Sequence, residues 1–248
     1  LEGIADEGPY VEAGRRFREW IDKGILQVEE RPALYLYHQR YRVPGTEQWK
    51  DLTGFIAAVR LARWDEGIVL PHEHTFSKPK EDRLRLMRTT QANLSQVYSF
   101  YSDPRMAAEG ALTAVAETGR PDISVRDADG AEHNIWVVDS PGIIRRVVTA
   151  LKSSRLYIAD GHHRYETALN YRDEKRQKEG ESERAGHEYV MMMIVNAEGG
   201  GLTVLPTHRM VRLAHDQLDR DSVRAQLAEL FVMSVHPVAD AAETARQA

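Results

Sequence analysis

Residues 155–172 constrain the fold more tightly than any other stretch. Leu156 to Ala159 is a short apolar run, the length of a buried strand. Asp160-Gly161 interrupts it, and Tyr165, Ala168, Leu169 and Arg172 then recur at the spacing of one helix face. A strand that runs straight into a helix implies a sheet with that helix packed on it. Asp160 is the expected N-cap, and Gly161 lets a ligand or a second backbone come close. The first helical turn then carries His162, His163 and Arg164 beside N–H groups that have no intrahelical acceptor. Those groups and the helix dipole favour an anion, and Arg164 can grip a phosphate with two donors. A capped turn with a surface arginine is commonly structural. The two adjacent histidines have no obvious packing purpose, and they tip the reading towards an anion or metal site.

Composition narrows the classes. The chain has 248 residues and a net charge of −5, which argues against a general nucleic-acid binder. It has no cysteine, so disulfides, thiolate catalysis and Cys-based zinc sites are excluded. No apolar run reaches the length of a membrane span and no signal peptide is visible, so the expected location is cytoplasmic. The chain begins with Leu1, and its opening residues read like the middle of something. The expectation is one α+β domain over 1–248, a fragment that lacks its native N-terminus and is open at its C-terminus.

A second unusual stretch follows the short strand Ile68 to Leu70, which Pro71 stops. His72, Glu73, His74 and Thr75 sit in an extended loop, where the two histidines point to one side and Glu73 to the other. Lys78, Pro79, Lys80 and Arg83 come next, with Pro79 suited to open a helix. The plainer alternative is a hydrophilic surface loop. His-Glu-His is not the helical His-Glu-x-x-His of zinc proteases, so that mechanism has no support. A third stretch, Pro206-Thr207-His208-Arg209, again places polar residues just past an expected strand, Leu202 to Leu205. The three arrangements place His72, His74, His162, His163 and His208 at one rim of a sheet, with Arg164, Arg209 and Lys78 or Lys80 beside them.

The remaining pattern predicts helices over 9–23, 105–118, 141–151 and 216–230, and strands over 33–41, 53–61, 95–101, 189–195 and 231–235. Asp129-Gly130 between two apolar runs predicts a hairpin. Gly54 marks a bulge or a close contact inside its strand. The charged run Arg172 to Arg184 reads as a solvated surface and loop. The expected sheets are mixed and largely antiparallel, with helices packed against them.

The stretches Pro71-His72-Glu73-His74-Thr75 with Lys78-Pro79-Lys80, Asp160-Gly161-His162-His163-Arg164, and Leu205-Pro206-Thr207-His208-Arg209 resemble the family called domain of unknown function 1015. The likeness runs from about residue 10 to 235, with the three stretches in the family's order. The family's N-terminal Pro-Pro-Tyr-Asp segment is absent here. Residues 155–172 also resemble the phosphate-binding element of the ParB and sulfiredoxin superfamily, which includes kinases of free serine. That likeness implies that Asp160, Gly161, His162 and Arg164 face nucleotide phosphates and that an upstream glutamate, Glu73, serves as base.

The residues are compatible with that chemistry. Phosphoryl transfer needs positioning and charge neutralisation, which a helix start with His162, His163 and Arg164 and nearby lysines supplies. Glu73 is the candidate general base, and Asp160 is placed to hold the acceptor or Mg²⁺. His72, His74, Thr75, Lys78, Lys80, Arg83, His208 and Arg209 are candidate contacts to substrate or phosphate. No P-loop or protein-kinase signature is present. The expected reaction is phosphoryl transfer from ATP or ADP with Mg²⁺ to a small hydroxyl metabolite, free serine first. Two alternatives stay open: a metal-dependent hydrolase built on the histidines, and a nucleotide- or phosphate-binding regulatory module.

Overall fold

The strand-to-helix turn stands as expected in a computed structural model that describes residues 8–205 and 219–233. In chain order the regular elements are α1 (Gly8–Asp22), β1 (Leu34–Arg42), β2 (Trp49–Arg60), β3 (Val69–Leu70), α2 (Ser77–Thr90), β4 (Val97–Tyr101) and α3 (Ala107–Thr118). Then come β5 (Ile123–Arg126), β6 (Glu132–Val138), α4 (Pro141–Leu151), β7 (Leu156–Asp160), α5 (His162–Glu179), β8 (Tyr189–Asn196) and α6 (Arg220–Ala228). The chain separates into two compact units, Leu1–Tyr41 with Trp49–Leu202, and Arg42–Gln48 with Thr203–Ala248. In the second unit the described residues comprise a turn closed by Val43 N–H to the Gln48 carbonyl (2.8 Å), and α6.

The strands form one mixed sheet in the order β3-β7-β4-β8-β2-β1-β6-β5. β3/β7 and β4/β8 are parallel, while β4/β7, β2/β8, β1/β6 and β5/β6 are antiparallel. β8 lies between β4 and β2 and buries both its faces, which is why Tyr189 to Val195 is a nearly continuous apolar run. Val190, Met192 and Ile194 join Phe55, Val97 and Ile158 in the main core, under Leu112 of α3, Val147 of α4 and Tyr165 and Ala168 of α5. Met193 and Val195 face the other way, towards Leu52, Tyr37 and Tyr98. Gly54 marks a close approach: a Cβ there would lie 2.7 Å from the Ile194 carbonyl oxygen on β8.

Four expectations are corrected. Asp160 does not cap α5. It is paired with Tyr98 in the ladder and stays extended, so Gly161 takes the cap position at φ 99°. The run from Arg172 is not all solvated surface, because α5 continues to Glu179 and buries Arg172, whose guanidinium donates to the Leu61 carbonyl at 3.0 Å. Arg176 in turn forks onto the buried Glu188 at 2.7 and 2.6 Å. Leu202–Leu205 form no strand. The Gly201 and Leu202 carbonyls accept from side chains, the Tyr41 hydroxyl (2.8 Å) and Lys50 Nζ (2.9 Å). Residues 231–233 likewise carry no strand. The β5–β6 hairpin is present with a loop over 127–131, tied by Asp127 Oδ1, which accepts from the N–H groups of Asp129 and Ala131.

Candidate functional site

β3 and β7 are parallel neighbours, with Val69 opposite Leu156 and Leu70 opposite Tyr157. Parallel pairing brings their carboxyl ends to the same edge, so the loop after β3 and the turn after β7 meet there. That loop carries His72, Glu73, His74 and Thr75; that turn carries Asp160 to Arg164. Two of the three stretches singled out in the sequence therefore converge. His208 and Arg209 of the third lie outside the described residues.

The two histidines of α5 hold the loop in place. His162 Nε2 accepts the N–H of His72 (3.2 Å), and His163 Nε2 accepts the N–H of Phe76 (3.0 Å). His72 Nδ1 donates to the Ile158 carbonyl on β7 (2.8 Å), and its ring meets that of His162 edge-on, with centroids 4.5 Å apart. Because Nδ1 of His72 is the donor, the lone pair sits on Nε2. His162 is buried, and that burial, with His72 beside it, lowers its pKa below the ordinary value, so the imidazole is neutral at pH 7.

The cations expected at a phosphate are engaged elsewhere. Arg164 pairs with Asp160 and donates to the Gln96 carbonyl and, at 2.8 Å, to Ser95 Oγ. Lys80 donates to Glu166 Oε2 at 2.8 Å. Glu166 also accepts from the Thr75 hydroxyl and, at 3.4 Å, from Trp64 Nε1. Its burial pushes the carboxyl up, yet Lys80 and Thr75 outweigh that and leave it below the usual carboxylate range. Sequence reading passed over Glu166. The signal was its place four residues after His162 and three after His163 on one helix, which puts it on their side. Glu73, His74 and Arg83 are exposed, and the Lys78 side chain lies outside the described atoms.

Gly161 has no side chain with which to cap, and none caps α5. The first-turn N–H groups of such a helix have no intrahelical acceptor, which favours an anion. Beside them, His72, Glu73 and His162 each present a ligand-type atom, all within 4.8 Å of one another. Apart from this edge, a cavity of about 710 Å³ opens between apolar walls that include Phe55, Val59, Val147 and Ile194, with Arg172 and Arg176 in its lining. None of the candidate site residues lines it.

No helix among the described residues is long and apolar enough to cross a membrane. No curated protein and no solved structure matches the chain, so the ParB and sulfiredoxin likeness gains no support from that side. The family model described as a protein of unknown function, DUF1015, matches residues 2–247, and the chain belongs to that family.

Proposed function

We propose that the protein transfers a phosphoryl group from a nucleotide, ATP or ADP with Mg²⁺, to the hydroxyl of a small metabolite, with free serine as the first acceptor to test. The observation that carries the reading is the start of α5: a helix opened by Gly161 without a capping side chain, with the His72–Thr75 loop folded against it. Phosphate oxygens would take the hydrogen bonds of the first-turn N–H groups, beside His162 and His163. Glu73 lies in the exposed loop, where a carboxylate can be held against an acceptor hydroxyl. The hydroxyl proton passes to Glu73 as the acceptor oxygen attacks the terminal phosphorus. The new P–O bond forms while the bridging P–O bond breaks, and its electron pair leaves with the nucleotide. Arg164 pairs with Asp160 across the turn, and Lys80 pairs with Glu166.

The test is to incubate the full-length chain with Mg²⁺, ATP or ADP, and serine, and to look for phosphoserine by mass spectrometry. Glu73→Gln keeps size and polarity but loses the base, so turnover should drop by about 10²–10⁴-fold. An undiminished rate in Glu73→Gln, or no product with any nucleotide and acceptor, defeats the proposal.

A further inference from the structure

The geometry points to a second component at the same edge: His72, Glu73 and His162 form a site for a first-row transition-metal dication such as Zn²⁺. Their ligand-type atoms already lie within 4.8 Å of one another. Ligands bonded at the usual zinc distances stand about 3.3 Å apart in a tetrahedron. The ligand atoms must therefore close in by at most about 1.5 Å, which the exposed Glu73 side chain can supply by changing rotamer and the His72 ring by a small tilt about its anchored Nδ1.

The surroundings of His72 are those of a metal ligand. Its Nδ1–H is spent on the Ile158 carbonyl at 2.8 Å, which leaves the lone pair of the neutral ring on Nε2. Histidine ligands characteristically carry such a bond on the far ring nitrogen. His162 is anchored by burial in the first turn of α5. Among the described residues, its Nε2 accepts a long 3.2 Å bond from the His72 N–H, which an ion would replace. Two imidazoles and one carboxylate select Zn²⁺ or its first-row neighbours over Mg²⁺ and Ca²⁺, which demand oxygen ligands. Three protein ligands also leave a position open for a further oxygen.

The ion would supply positive charge that the structure otherwise diverts. Arg164 is paired with Asp160 and Lys80 with Glu166, so neither reaches the start of α5 as a free cation. A dication held by one carboxylate keeps a net positive charge beside the helix N–H groups, and both then attract an anionic group. This role, unlike the binding itself, rests on the phosphoryl-transfer reading. Within it, a hydroxyl bound to the ion becomes more acidic, and the uncoordinated oxygen of Glu73 takes its proton.

The experiment is a Co²⁺ titration of the full-length chain without nucleotide, followed through the visible ligand-field bands and by competition with Zn²⁺. We expect one Co²⁺ per chain, displaced by Zn²⁺ and not by excess Mg²⁺. Losing an outer-shell partner of a metal ligand costs about 10–100-fold in affinity, so His72→Ala and Glu73→Gln should each weaken Co²⁺ binding by ~100-fold or more. Both positions are exposed, and circular dichroism checks that the variants fold. His133→Ala, which changes a histidine bonded to Tyr37 and Asp127, should leave the affinity unaltered. Absence of the bands, or parent-like affinity in His72→Ala and Glu73→Gln, overturns the site. Co²⁺ binding without any phosphoserine activity would leave the metal site standing and remove the kinase reading.

Discussion

Further along α5, Tyr165, Arg172 and Arg176 set their polar groups against partners inside the protein; at its start, His162 and His163 face an exposed loop. The Tyr165 hydroxyl donates to the Ala62 carbonyl (2.8 Å) and accepts the Ala62 N–H (2.9 Å), both buried. Arg172 closes on Leu61, and Arg176 on Glu188. In the first turn, by contrast, His162 and His163 accept from backbone amides of an irregular loop, and Gly161 leaves the helix uncapped. The later turns satisfy the chain as it leaves β2, where buried backbone groups need partners. The first turn serves amides of a loop that is exposed, and its own N–H groups have no capping side chain. Helix-start N–H groups without a capping side chain are where a ligand finds its hydrogen bonds.

That contrast is sharpest in stability. Tyr165→Phe removes one hydroxyl and leaves both the N–H and the carbonyl of Ala62 buried without a partner. Urea unfolding should show a loss of about 2 kcal/mol, within the ~1–3 kcal/mol range for an unsatisfied buried group. A loss no larger than that from an exposed substitution would mean that water replaces the hydroxyl, and that α5 is no more locked there than at its start.

A smaller effect should appear with pH. Burial, and then His72, lower the pKa of His162 in the folded protein, so between that value and the ordinary 6.5 the unfolded chain binds more protons. Stability is therefore full above about pH 6.5 and falls as the pH drops through 6.5 towards the folded pKa. His162→Gln, which retains a polar side chain that does not titrate, should flatten the melting temperature across this window. An unchanged slope in that variant would assign it to another group.

The fold was legible where one physical signal dominated. The run Tyr189 to Val195 announced a strand buried on both faces, and Gly54 announced a backbone approach that β8 makes at 2.7 Å from where a Cβ would stand. The strand-helix turn at Leu156–Leu169 likewise followed from apolar spacing alone. What the sequence did not reveal were the partners of its charged side chains. Arg164 and Lys80 look like phosphate ligands in a sequence, but ion pairing is a tertiary property, and Asp160 and Glu166 claim them. Arg172 sits in a run that reads as solvated, yet one carbonyl at the end of β2 draws it inside. The meeting of His72 with His162 depends on the parallel register of β3 against β7, two elements far apart in the chain and joined by short-range signals to neither.

The central claim is that the start of α5, together with the loop over 71–76, receives phosphate. Calorimetric titration of the full-length chain with Mg²⁺-ATP and Mg²⁺-ADP, in the parent and in His163→Glu, tests it most directly. A carboxylate in the first turn suits the helix dipole and still accepts the Phe76 N–H, so the fold should keep its melting temperature. The same carboxylate occupies and repels the place of the phosphates, so nucleotide affinity should fall by about tenfold or more, a difference of ~1.4 kcal/mol. Equal affinity in the two proteins, or no binding to the parent, would contradict the account.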